Sequence, residues 1–66
     1  MQALQIDSND IELIPVSEVR RITGMGTTFI YTRAAEGKFP RQRKIGRSAR
    51  WVKSEVMEWV KAAISQ

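Results

Sequence analysis

The tripeptide Gly24-Met25-Gly26 is the feature of this chain that most restricts its fold. Glycine adopts left-handed backbone without steric cost, so two of them one residue apart can stop a helix and turn the chain at once. The segments on either side both read as short helices. Before the turn, Val16, Val19 and Ile22 gather on one face while Arg20 and Arg21 point away. Ser17 reads as the N-cap of this helix, and Glu18 suits the positive end of its dipole. After the turn, Thr27 or Thr28 reads as the cap of a second helix reaching about Glu36. Gly37 then supplies a left-handed C-terminal position, and Pro40 blocks continuation. Two short helices about a three-residue turn form a helix-turn-helix.

The remainder completes one small domain. Leu13-Ile14-Pro15-Val16 reads as a short extended lead-in, because a residue before proline avoids helical backbone. Arg41 to Ile45, a turn over Gly46-Arg47-Ser48-Ala49, and Arg50-Trp51-Val52 read as a hairpin with Ile45 and Trp51 on its core face. Such a hairpin is marginal alone and must lie against the helices. Ser54 reads as the cap of a third helix, with Glu55 at its start and an apolar stripe of Val56, Trp59, Val60, Ala63 and Ile64. The expected fold is small α+β, mostly α: a winged helix-turn-helix of three helices with a β-hairpin wing between the second and third. Residues 13–66 form this domain, and residues 1–12, with three acids and a Ser8-Asn9-Asp10 breaker cluster, read as a mobile acidic arm.

With 66 residues there is room for one core and none for a second domain. Cysteine and histidine are both absent, which removes a disulfide framework, nearly every zinc arrangement and the commonest general base. No enzyme, metal or cofactor is expected. No apolar run is long enough to span a membrane, and Met1 to Ile6 lacks the basic start of a signal peptide, so a cytoplasmic location is expected.

Charge is distributed in blocks. Residues 1–19 sum to −4, residues 20–53 to +9 and residues 54–66 to −1. From Lys38 to Lys53 there are seven bases and no acid. A one-sided block of this kind repels itself unless an anionic partner faces it, and nucleic acid is the first candidate. With Ile30 set toward the core at about 100° per residue, Ala34 lies beside it and Thr28 and Thr32 lie opposite, with Tyr31 at the edge of that outward face. Threonine hydroxyls and methyls can meet phosphates, base edges or a thymine methyl, and tyrosine can reach a phosphate. Arg33 falls on the core side, where it can carry its head to phosphate or form a structural ion pair. Arg43, Lys44, Arg47 and Arg50 suit a wing that grips the backbone, with Arg47 at the tip positioned for a minor groove. Lys38 and Arg41 are placed for phosphates, and Arg20 and Arg21 for the backbone crossed by the first helix. Trp51 and Trp59 read as core residues.

The run Leu13-Ile14-Pro15-Val16-Ser17-Glu18-Val19, followed by Ile22-Thr23-Gly24-Met25, Phe29-Ile30-Tyr31, Glu36-Gly37-Lys38-Phe39-Pro40, Lys44-Ile45-Gly46-Arg47, Arg50-Trp51 and Ser54-Glu55-Val56, resembles the AlpA family. These are small regulators of prophages and genomic islands, related to excisionases and to MerR-type DNA-binding domains. The resemblance spans about residues 13–64 and implies a winged helix-turn-helix that activates transcription near an integrase gene or acts in excision. Family members usually carry Ser-Arg-Ser-Thr where this chain has Gly26-Thr27-Thr28-Phe29, and Arg where it has Thr32. Two groove arginines are thus replaced by Thr27 and Thr32, which shifts weight to the wing. The expected partner is double-stranded DNA, with an integrase and self-association on DNA as further possibilities. The alternative is a small adaptor that binds an integrase or regulator through its acidic arm or third helix.

Overall fold

A computed structural model of the chain describes residues 11–65. The acidic arm expected over residues 1–12 therefore lies mostly outside the described residues. The elements follow in the order β1 (Leu13–Ile14), α1 (Val16–Thr23), α2 (Thr27–Ala35), β2 (Arg43–Ile45), β3 (Ser48–Val52) and α3 (Lys53–Ile64). This is the three-helix, winged arrangement, with an addition. The lead-in before Pro15 is a strand: β1 pairs antiparallel with β3, Leu13 opposite Val52 and Ile14 opposite Trp51. The sheet order is β1-β3-β2. Beyond β1, the Lys53 amide donates to the Glu12 carbonyl at 2.8 Å, and the two side chains pair at 3.6 Å.

The two glycines of the helix-turn-helix have different duties. Gly24 is left-handed at φ 75° and closes α1 by donating its amide to the Arg20 carbonyl. Gly26 has φ −83°, open to any residue, and stands at the N-cap of α2. Thr23 bridges the turn, its hydroxyl donating to the Val19 carbonyl and accepting from the Met25 amide. At the far end of α2, Gly37 is left-handed at φ 76°, and the amides of Gly37 and Lys38 donate to the carbonyls of Ala34 and Arg33. That pair of bonds is a Schellman motif.

The side-chain caps expected from the sequence are not made. Pro15, Gly26 and Val52 occupy the three N-cap positions, and none donates or accepts through a side chain there. Ser17, Thr27 and Ser54 each fall inside the first turn instead. Pro15 explains the first case: its ring fixes φ near the helical value and its missing N–H costs nothing there, so the helix starts two residues earlier.

Ile14, Val19, Ile30, Ala34, Phe39, Trp51 and Val56 form the buried core, with Val16, Ile22, Ala49 and Trp59 packed against it. The Trp51 indole donates to the Pro40 carbonyl and the Trp59 indole to the Lys38 carbonyl, both at 3.0 Å. Phe39 lies between these anchors, its ring edge-on to Trp59 at 4.9 Å. The segment joining α2 to the wing is thereby fastened to β3 and α3. Three expectations need correction. Trp59 is only half-buried, the stripe on α3 ends before Ala63 and Ile64, both exposed, and Ile45 is 51% exposed. The last follows from register. The turn is two residues long, Gly46-Arg47, so Ile45 faces Ser48 and Arg43 faces Arg50. Directly opposed residues share a face, which puts Ile45 on the side away from Trp51. Gly46 at φ 62° followed by an Arg47 without positive φ matches a type II′ turn.

Candidate nucleic-acid interface

α2 presents Thr27, Thr28, Tyr31 and Thr32 to the outside while burying Ile30 and Ala34. The wheel drawn from sequence is reproduced. Tyr31 is not a free surface group, because its ring meets Trp51 edge-on at 5.5 Å. That contact sets the outer edge of α2 against the Trp51 face of the sheet. Pairing places Lys44 opposite Ala49, on the face shared with Trp51, while Arg43 and Arg50 occupy the other face. The four wing bases therefore divide: Lys44 lies on the α2 side, Arg47 at the turn, and Arg43 and Arg50 behind.

Ion pairing divides the bases further. Each of the five acids among the described residues has a basic partner: Glu12 with Lys53, Glu18 with Arg21, Glu36 with Arg33, Glu55 with Arg43, and Glu58 with Lys61. Six bases have no such partner among the described residues: Arg20, Lys38, Arg41, Lys44, Arg47 and Arg50. The net positive charge of the described residues therefore resides on them. Arg33, read from the sequence as a phosphate contact or a structural ion pair, bonds Glu36 at 2.8 Å and lies 5.1 Å over the Phe29 ring. Arg50 is half-buried and donates to the Ala49 carbonyl.

Arg43 is held in a fork: its two terminal nitrogens donate to the two Glu55 carboxylate oxygens at 2.8 and 3.1 Å. These bonds lower the Glu55 pKa and raise that of Arg43. Nothing in a twelve-residue separation signals this pair, so sequence reading missed it. The Glu18–Arg21 pair, at helical i, i+3 spacing, was likewise not read from the sequence, and it lowers the Glu18 pKa chiefly through the Arg21 hydrogen bond. On the other side of α2, Ser17, Arg20, Arg21, Gly24, Met25 and Gly26 line a shallow groove of about 380 Å³. It runs from the outer face of α1 to the uncapped start of α2. Arg20 and the start of α2, a helix end that favours an anion, thus line the same groove.

Among the described residues no group of acids is arranged to hold a metal, and no helix is long and apolar enough to cross a membrane. The described residues thus form a winged helix-turn-helix with an outward second helix and six bases that have no acidic partner among them. The model of the family described as prophage CP4-57 regulatory protein (AlpA) matches residues 12–64, and the chain belongs to that family. No curated protein matches it.

Proposed function

We propose that this protein binds duplex DNA sequence-specifically within a mobile element, as a regulator of integrase or excision genes or as an excisionase. The observation that carries the reading is the pairing census: every described acid is neutralised in place, and the bases left over flank α2 or sit on the wing. Phosphates are the anions spaced to meet such a set, and counterion release supplies the affinity. α2 enters the major groove, with Thr28 and Thr32 reading base edges or thymine methyls, Thr27 at the helix start and Tyr31 directed by its contact with Trp51. Arg20 and the α2 N-terminus hold one phosphate strand. Lys38, Arg41 and Lys44 hold the other, and Arg47 enters the minor groove from the wing tip. Arg50 is a peripheral phosphate contact.

The test is footprinting on DNA flanking the gene and the attachment site of the element, followed by binding of variants to the protected site and to a scrambled duplex. Thr28→Ala and Thr32→Ala should weaken the specific complex alone. Lys44→Ala should weaken both and flatten the salt dependence by about one unit per lost phosphate. Equal loss of both kinds of binding in folded threonine variants would remove α2 as the reader. Protection of repeated sites with DNA bending would favour the excisionase role, and a single promoter site the regulator. The exposed Met57 and Ile64 on α3 give the adaptor reading its one observation. It requires salt-insensitive capture of an integrase with no footprint.

A further inference from the structure

We infer that Glu55 and Arg43 act together as a positioning pair that anchors the outer strand of the wing, and that Arg43 does not contact DNA. All three residues of β2 are exposed, so no buried side chain fixes this strand. It is held on one side by its ladder to β3 and, among the described side chains, by one bridge to a helix, the fork between Arg43 and Glu55. Arg43 also stands directly opposite Arg50, an arrangement that repels across a strand pair unless one charge is neutralised. Glu55 supplies that neutralisation from the first turn of α3, and two parallel bonds give it a defined direction as well as a charge. The Arg43 guanidinium also donates to the Arg41 carbonyl at 3.3 Å, tying the bridge to the segment leading out of α2. The pair therefore sets how the wing, with Lys44 and Arg47, is aimed relative to α2. Its effect on DNA rests on the reading given under Proposed function; its effect on the wing does not.

Two measurements separate these. In the free protein, amide hydrogen exchange of the β2–β3 ladder is followed in Glu55→Gln, Arg43→Ala, the double variant and the exchanged pair Arg43→Glu with Glu55→Arg. Ladder exchange should rise about two- to fivefold in each single variant, no further in the double, and return toward wild type in the exchanged pair. High salt should raise it in the wild type as well, which needs no substitution. Unchanged ladder exchange in Glu55→Gln and in salt would overturn the anchor whether or not DNA is bound. The second measurement is the ratio of affinities for the footprinted site and a scrambled duplex, expected to fall by a similar factor in Glu55→Gln and Arg43→Ala and to recover in the exchanged pair. A Glu55→Gln variant that gains affinity for both duplexes would make Arg43 a phosphate contact restrained by Glu55. A looser wing with an unchanged ratio would end the specificity role. A wild type that binds neither duplex refutes the DNA reading, and the exchange result still decides the anchor.

Discussion

Trp51 and Trp59 look alike in the sequence and differ in the folded chain. Each donates its indole N–H to a carbonyl of the segment leading out of α2, but Trp51 is fully buried and Trp59 only partly so. Trp51→Ala should therefore cost on the order of 3–5 kcal/mol and abolish the cooperative thermal transition. Trp59→Ala should retain a transition at lower temperature. Trp59→Phe, which keeps a ring beside Phe39 and loses the bond to Lys38, should cost about 1 kcal/mol. Thermal melts followed by circular dichroism check all three, and equal losses for the two alanine variants would contradict the difference in burial. At this scale the apolar residues were largely legible, since Val19, Ile30, Ala34, Trp51 and Val56 all went to the core as their spacing required. Ile45 was not, because its face depends on a turn two residues long where the sequence suggested four.

α2 lacks both a side-chain cap and an acid in its first turn. A Cβ added at Gly26 meets nothing within 4 Å, and the backbone there is not left-handed. Gly26→Asp should then stabilise the fold by a few tenths to ~1 kcal/mol through capping and the helix dipole. The same carboxylate would face the proposed phosphate, so affinity for duplex DNA should fall as melting temperature rises. A variant that gains stability and keeps its affinity would show that the start of α2 lies away from DNA. Gly24→Ala is the contrast: at φ 75° the strain is in the backbone, and a loss of roughly 1–2 kcal/mol is expected. Acid stability follows from the arginine hydrogen bonds, Arg21 to Glu18 and Arg43 to Glu55, made at two of the helix starts. The carboxylates of Glu18 and Glu55 lie below their ordinary range in the folded chain. A lowered folded pKa contributes stability present above the unfolded value and lost as pH falls through the folded one. Melting temperature should be level above about pH 5 and decline toward pH 3, and Glu55→Gln should make that decline shallower. An unchanged pH profile in Glu55→Gln would remove the Arg43 pair from the acid response.

For the whole molecule, the informative quantity is which charges remain unpaired. If about five of the six bases without an acidic partner among the described residues meet phosphates, log K should fall with log salt at a slope of about −4 to −5. Binding titrations on the footprinted site between low and moderate salt measure it, and a slope near zero would refute the phosphate assignment. The sequence by itself determined the element order, the helix-turn-helix with Gly24 and Gly37 ending its helices, the outward face of α2 and the excess of base over acid. These are local properties, set by backbone sterics and by periodicities of two and 3.6 residues that neighbouring positions already contain. Only the tertiary structure decided that Leu13–Ile14 joins the sheet, that Lys44 and Arg43 take opposite faces, and that Glu55 claims one base of the wing while six others have no acidic partner among the described residues. Those outcomes depend on strand register and on distances between residues far apart in the chain, and composition and spacing carry no record of either.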